Sequence, residues 1–288
     1  MESSTAPSWS PDGEYLAYLL QRRSPILYQP GALTIVIRSM RTGEERELST
    51  GLNQMIAPVQ WFPDGRAILI GAWEDKYRGD MSFYRIDVQS GAATRMIRAG
   101  LDGGPPRLSA DGKTILYFQP RDDSIKGLAL MLHRMDIGQT REIQRLPEGY
   151  WTAIAISPDS RQVAFIGPAT DDARLAAIKV MAISGGESRE LLKIGPQEDI
   201  GGWWGRIAWM PDGQSLLVVR STKVSRMYQV WRVPLQGGEP QRLGAAMERI
   251  RFPSVHPDGR RIAFDSGQWK PRQLELWVME NFLSMLKP

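Results

Sequence analysis

The stretch Ser8-Trp9-Ser10-Pro11-Asp12-Gly13-Glu14-Tyr15-Leu16-Ala17-Tyr18 decides the fold, because it recurs. Its Pro-Asp-Gly centre returns, with small variations, as Pro63-Asp64-Gly65, Ala110-Asp111-Gly112, Pro158-Asp159-Ser160, Pro211-Asp212-Gly213 and Pro257-Asp258-Gly259. Successive aspartates are 52, 47, 48, 53 and 46 residues apart, so one unit of about 49 residues is written six times.

Each copy is followed by a run of β type: Leu16-Ala17-Tyr18, Ile68-Leu69-Ile70, Ile115-Leu116-Tyr117, Val163-Ala164-Phe165, Leu216-Leu217-Val218 and Ile262-Ala263-Phe264. Proline presets one turn dihedral, aspartate bonds its own backbone two residues on, and glycine accepts the positive φ that closes the hairpin. A strand, a tight turn and a second strand follow from that chemistry. Further strands are expected at Leu33–Arg38, Phe83–Val88, Ala129–Met135, Ile178–Ile183, Gln229–Pro234 and Glu275–Glu280. Glycines at 43, 91, 138, 185 and 237 mark the next turn, at nearly constant distance from each motif aspartate. Four antiparallel strands repeated six times specify an all-β chain, a six-bladed β-propeller. The blades are expected to begin near residues 7, 58, 105, 153, 206 and 252 of a single domain spanning 1–288.

The repeat resembles that of the TolB-like six-bladed propellers, which are WD-repeat-like; the endings Gly185-Gly186 and Gly237-Gly238 resemble the turn that this family places before its outer strand. The resemblance covers nearly the whole chain. It implies the fold, and it implies a bacterial sensor or interaction domain placed in the periplasm, whose parent protein can be membrane-anchored. The family also includes a pectate-degrading lyase that holds its metal with several histidines. Fold alone does not assign function.

The bulk numbers exclude several classes. The 288 residues contain no cysteine, which removes disulfides, thiolate catalysis and cysteine-ligated zinc. There is no apolar run long enough to cross a bilayer, and no signal-peptide pattern, so this segment itself is expected to be soluble. A net charge of +4 from interleaved acidic and basic residues argues against nucleic acid, which needs a basic face. No Gly-x-Ser-x-Gly elbow, phosphate loop or His-Glu-x-x-His is present. The two histidines, His133 and His256, are too few for a lyase-type metal site, and His256 reads as a tolerated strand residue. No cofactor and no metal are expected. The motif aspartates read as structural. Trp9, Trp61 and Trp209 share a repeat position with Leu108, Ile156 and Val255, which marks packing between blades.

The last copy ends after Leu274–Asn281 without the glycine turn or a fourth strand, so the final blade is expected to lack its outer strand. Residues 1–6 are too short to supply it. One expectation is a fragment of a longer protein whose upstream segment completes the blade, since an open sheet edge invites pairing; the alternative is a final blade of three strands.

Two insertions fall on one face. In a propeller, the loops between second and third strands share the channel mouth with the blade-to-blade connections. The first insertion is Arg22–Pro30, and the second is Gln197–Arg206, which carries Trp203 and Trp204. The candidate binding residues on this face are Trp73, Arg78, Arg121, Tyr150, Trp151, Trp203, Trp204, Arg206, Arg226, Arg249, Arg251 and Trp269. Aromatic and arginine side chains supply most hot-spot energy at interfaces, and arginine stacks on tryptophan. The leading expectation is a monomeric, non-enzymatic recognition module that binds a protein, a peptide or a small anionic ligand there. One alternative is a sugar-polymer lyase or hydrolase using Glu74, Asp122, Asp123 and Tyr150; another is a structural scaffold.

Overall fold

The computed structural model describes residues 2–22, 33–52, 55–73, 80–100, 104–120, 127–147, 153–200, 206–222, 224–225, 227–267 and 275–282. From the channel outward, blade 1 consists of β1 (Glu2–Trp9), β2 (Tyr15–Arg22), β3 (Leu33–Ser39) and β4 (Glu45–Leu48). Blade 2 is β5 (Met55–Trp61), β6 (Ala67–Trp73), β7 (Met81–Asp87) and β8 (Ala93–Gly100). Blade 3 is β9 (Arg107–Leu108), β10 (Thr114–Pro120), β11 (Gly127–Arg134) and β12 (Gln139–Pro147). Blade 4 is β13 (Ile154–Ile156), β14 (Gln162–Pro168), β15 (Ala176–Ala182) and β16 (Arg189–Lys193). In blade 5 the inner edge is split between β17 (Glu198–Asp199) and β18 (Ile207–Trp209); both pair with β19 (Ser215–Thr222), which β20 (Met227–Pro234) and β21 (Gln241–Glu248) follow. Blade 6 has three strands among the described residues: β22 (Arg251–Val255), β23 (Arg261–Ser266) and β24 (Glu275–Glu280). All neighbouring strands within a blade are antiparallel, as expected from the repeat.

Residues 2–6 form the first half of β1 on the inner edge of blade 1, pairing Glu2 with Arg22 and Thr5 with Leu19. The outer edge of β24 is bare among the described residues, and Trp277 and Val278 are 46% and 36% exposed there.

The repeated turn is a small polar machine. Asp12 Oδ1 accepts from the Glu14 N–H at 3.0 Å and from Ser10 Oγ at 2.5 Å, while Ser10 Oγ accepts the Tyr15 N–H at 2.9 Å. Ser109 with Asp111, and Ser157 with Asp159, repeat this arrangement. The serine two residues before the aspartate therefore belongs to the motif. The serine hydroxyl is the largest influence holding the Asp12 and Asp159 carboxyls below their ordinary value of 3.8.

A folded-state value below the unfolded one stabilises the fold above the unfolded value and loses that stabilisation as pH falls through the folded one. We expect stability to be flat near neutrality and to decline from about pH 4 downward. Ser157→Ala should cost about 1 kcal/mol at pH 7 and less at pH 2. Denaturant midpoints at both pH values test this; an equal loss at each would show that the carboxylate state is irrelevant.

Both faces of the inner sheets are buried. Along β6, Ala67 and Leu69 pack toward blade 3, while Ile68, Ile70 and Ala72 pack toward blade 1. That is the two-residue period of a strand sorted into two interfaces, and it is why these strands read as unbroken apolar runs. The packing reading of Trp9 and Trp209 holds, since both are buried in apolar clusters between blades, and Trp61 is packed against a third. Two of these indoles also clamp the neighbouring blade: Trp61 Nε1 donates to the Ser8 carbonyl and Trp209 Nε1 to the Ala155 carbonyl, each at 3.0 Å.

The seam between blade 6 and blade 1 is built differently. Its apolar cluster holds just Trp9, Leu16 and Ala263 as buried members, whereas the clusters at the other interfaces are far larger. Charge takes the place of the missing apolar surface. Arg251 grips Asp265 through Nε at 2.9 Å and Nη2 at 3.2 Å, with Arg251 6% exposed and Asp265 0%. Asp265 in turn accepts from Thr5 Oγ1 and, at 3.2 Å, from the Ala6 N–H of blade 1. This bond anchors a bulge in β1 at which Ala6 has φ of 55°.

His256 completes the seam and corrects its reading as a tolerated strand residue. It occupies the place of the motif serine; its Nδ1 accepts the Asp258 N–H at 3.0 Å, and its Nε2 lies 3.1 Å from the Gly13 carbonyl of blade 1. Its ring meets Trp9 edge-on at 4.6 Å between centroids.

Candidate functional site at the channel and its mouth

The six inner strands wall a central cavity of about 210 Å³, to which every blade contributes residues. The residue before the shared tryptophan position is the main lining element: Ser8, Gln60, Arg107, Ala155, Ala208 and Ser254. Four are small, which leaves room; Gln60 and Arg107 are long and polar. Gln60 bridges to blade 3, donating through Nε2 to the Pro106 carbonyl at 2.6 Å and accepting the Leu108 N–H at 2.9 Å. Arg107 bridges to blade 4, donating from Nε to the Ile154 carbonyl at 2.8 Å and from Nη1 to the Pro106 carbonyl at 3.2 Å. Burial pulls its pKa down to about 10. Sequence reasoning passed over both residues, although aligning the six copies sets them against serine and alanine.

At the mouth, the second insertion is pinned at its base. The strand β17 pairs Glu198 with Thr222 and Asp199 with Ser221 at the end of β19. Glu198 forms an ion pair with Arg220 and accepts the Gly195 N–H at 2.7 Å. Arg220 also lies over the Trp231 ring at 4.8 Å. Asp199 lies 3.5 Å from Arg206, whose guanidinium sits 4.4 Å over the Tyr228 ring. Ile200 and Arg206, which flank residues 201–205, are both 5% exposed.

Among the expected binding residues, Trp73 ends β6 half-buried, with its indole Nε1 enclosed. Arg206 and Arg251 are buried within the protein on Asp199 and Asp265, and Arg249 is half-buried with φ of 49° just before β22. The structure joins Arg206 to the insertion and Arg251 to the seam. Arg78, Arg121, Tyr150, Trp151, Trp203, Trp204, Arg226 and Trp269 lie outside the described residues, as do the carboxylates Glu74, Asp122 and Asp123.

No family model matches the chain, and no curated protein matches it in sequence. Solved structures do. TolB from Acinetobacter baumannii is 18% identical with a TM-score of 0.73, over 94% of this chain and 62% of that one. The chain thus spans less than two thirds of that protein's length. A putative TolB from Agrobacterium tumefaciens is 20% identical with a TM-score of 0.66, over 86% of this chain and 84% of that one. An oligogalacturonate lyase in complex with manganese is 16% identical with a TM-score of 0.64, over 98% of this chain and 76% of that one. At such identities the likeness is one of fold, and the fold of this chain is a six-bladed β-propeller similar to those TolB structures.

Proposed function

We propose that this propeller is a non-enzymatic recognition module that takes a protein or peptide segment at its channel-mouth face. The observation that carries the reading is the pinned insertion. In sequence an apolar, glycine-flanked run, Gly201-Gly202-Trp203-Trp204-Gly205, separates the buried Ile200 from the buried Arg206, and the described residues on either side of it are held by the Asp199–Arg206 and Glu198–Arg220 ion pairs. Binding loops are characteristically held in this way by a rigid scaffold, and paired tryptophans are strong interface anchors. The likeness to TolB structures supports the same class of role.

Selection of displayed peptides on the immobilised propeller tests it. We expect the selected peptides to lose at least about tenfold in affinity on Trp203→Ala with Trp204→Ala, a cost of about 1.4 kcal/mol or more. Tyr15→Ala, 42% exposed beside the Pro-Asp-Gly turn on the other face, should leave binding unchanged. Peptides that bind both variants as well as the parent would remove the reading.

A second reading, cleavage of an acidic sugar polymer, is favoured by the likeness to oligogalacturonate lyase. The residues described do not fit a histidine-held metal. His133 Nδ1 bonds Thr140 Oγ1 at 2.8 Å on blade 3, and His256 is committed to the seam. No group of three or more His, Cys, Asp or Glu suited to a metal occurs among the described residues. Unsaturated product released from oligogalacturonate by the purified chain would establish the lyase reading; none, with and without added manganese, would end it.

A further inference from the structure

We propose that the central channel holds a binding site for a small monoanionic oxyanion of the carboxylate class, with Arg107 as its cationic ligand. The inference is independent of the mouth-face reading, since it concerns residues on the inner strands.

The first observation is a comparison among the arginines of the fold interior. Arg251 is answered by Asp265, Arg206 by Asp199 and Arg220 by Glu198. Arg107 breaks the pattern. Its hydrogen bonds go to the neutral carbonyls of Ile154 and Pro106, and no ion pair to it occurs among the described residues. Arg107 is half-buried where it lines the cavity, and a guanidinium partly withdrawn from bulk water onto neutral partners is costly, since charges inside proteins are ordinarily paired. The downward pull of burial on its pKa is the electrostatic sign of that cost.

The second observation is the cavity. The residues lining the 210 Å³ space include one charged side chain, Arg107, and no carboxylate. An entering anion therefore meets a positive charge and no repulsion from the wall. Neutral donors stand in the same wall: Ser8 and Ser254 line the cavity, and the Ser254 oxygen already accepts the Trp9 N–H at 3.3 Å, which leaves its hydroxyl hydrogen to donate.

The third observation is preorganisation. The Nε–Ile154 bond fixes the guanidinium across the gap between blades 3 and 4, and Gln60 fixes β9 on its other side. A guanidinium held in place before the ligand arrives lowers the entropic cost of binding. With Nε engaged by Ile154 and one Nη1 hydrogen by Pro106, the remaining Nη hydrogens carry the recognition. One guanidinium balances one negative charge, which favours a carboxylate over a phosphate dianion.

Calorimetric titration of the whole chain with formate, acetate and phosphate, at fixed chloride and ionic strength, tests the site. We expect one-site, saturable binding of formate or acetate and a rise in Tm with their concentration, as a ligand of the folded state requires. Arg107→Gln should weaken binding at least tenfold, and Arg107→Lys should retain part of it. Arg38→Gln, which alters an exposed pair with Glu45, should bind as the parent does. Absence of saturable carboxylate binding, or equal binding by Arg107→Gln, overturns the proposal, and a preference for phosphate overturns the assigned class. If Arg107→Gln does not fold, crystals of the parent chain grown in saturating formate decide the matter: formate against the Arg107 Nη groups supports the site, and water alone in the channel overturns it.

Discussion

Asp265→Ala is expected to lower the stability of the propeller by about 3–5 kcal/mol, the loss typical of a buried ion pair that loses one partner. Asp265 is 0% exposed and holds the Arg251 guanidinium, the Thr5 hydroxyl and the Ala6 N–H together. Its removal leaves a positive charge buried at the one seam with little apolar surface to spare. A drop in Tm of roughly 5–8 °C should accompany the change. The double replacement Arg251→Met with Asp265→Leu should recover much of the loss, because two apolar groups carry no desolvation debt. Thermal and denaturant unfolding of the parent and both variants measure this. A single variant within about 0.5 kcal/mol of the parent, the ordinary range for surface substitutions, would show that the seam does not depend on the pair.

The second large effect is a contrast between two glycines of the same motif. Gly13 and Gly65 have φ of 75° and 67°, so alanine at either meets the same left-handed backbone cost of about 1–2 kcal/mol. Their surroundings differ. A Cβ on Gly65 meets nothing within 4 Å, whereas one on Gly13 comes within 2.2 Å of His256 Nε2. The imidazole cannot retreat freely, since it is wedged against Trp9 and bonded to the Asp258 N–H. Gly13→Ala should therefore cost about 1–3 kcal/mol more than Gly65→Ala, the usual range for overpacking. Denaturant midpoints of the two variants give the difference directly. Equal losses would mean that His256 yields without cost and that the blade 6 to blade 1 contact is loose. Gly13→Ala with His256→Ser, which restores the serine found at this position in three other copies, should return most of the extra loss.

The repeat made most of the architecture readable in advance. Proline, aspartate and glycine act on dihedrals within four residues, so six turns could be placed from composition at fixed spacing. The apolar runs after each turn placed the second strands, and the exchange of Trp9, Trp61 and Trp209 with aliphatic residues marked the blade interfaces. The edge of β24, bare among the described residues, was likewise visible as a missing glycine turn. The candidate site was less readable. Arg251 and Arg206 look like surface arginines because their acidic partners are unremarkable as single letters, and Asp265 is remote from the start of β1 in sequence.

The sequence by itself determined the number of blades, the order of their strands and the residues that face a neighbouring blade. Those properties follow from local turn chemistry and a two-residue period, and both operate inside one repeat. The tertiary structure alone decided where the ring is joined by charge instead of apolar surface, and which arginines meet a carboxylate and which, among the described residues, lines the channel on neutral carbonyls. The physical reason is that charge compensation depends on distance in space: Thr5 and Asp265 are 260 positions apart along the chain and in hydrogen-bond contact in the folded ring.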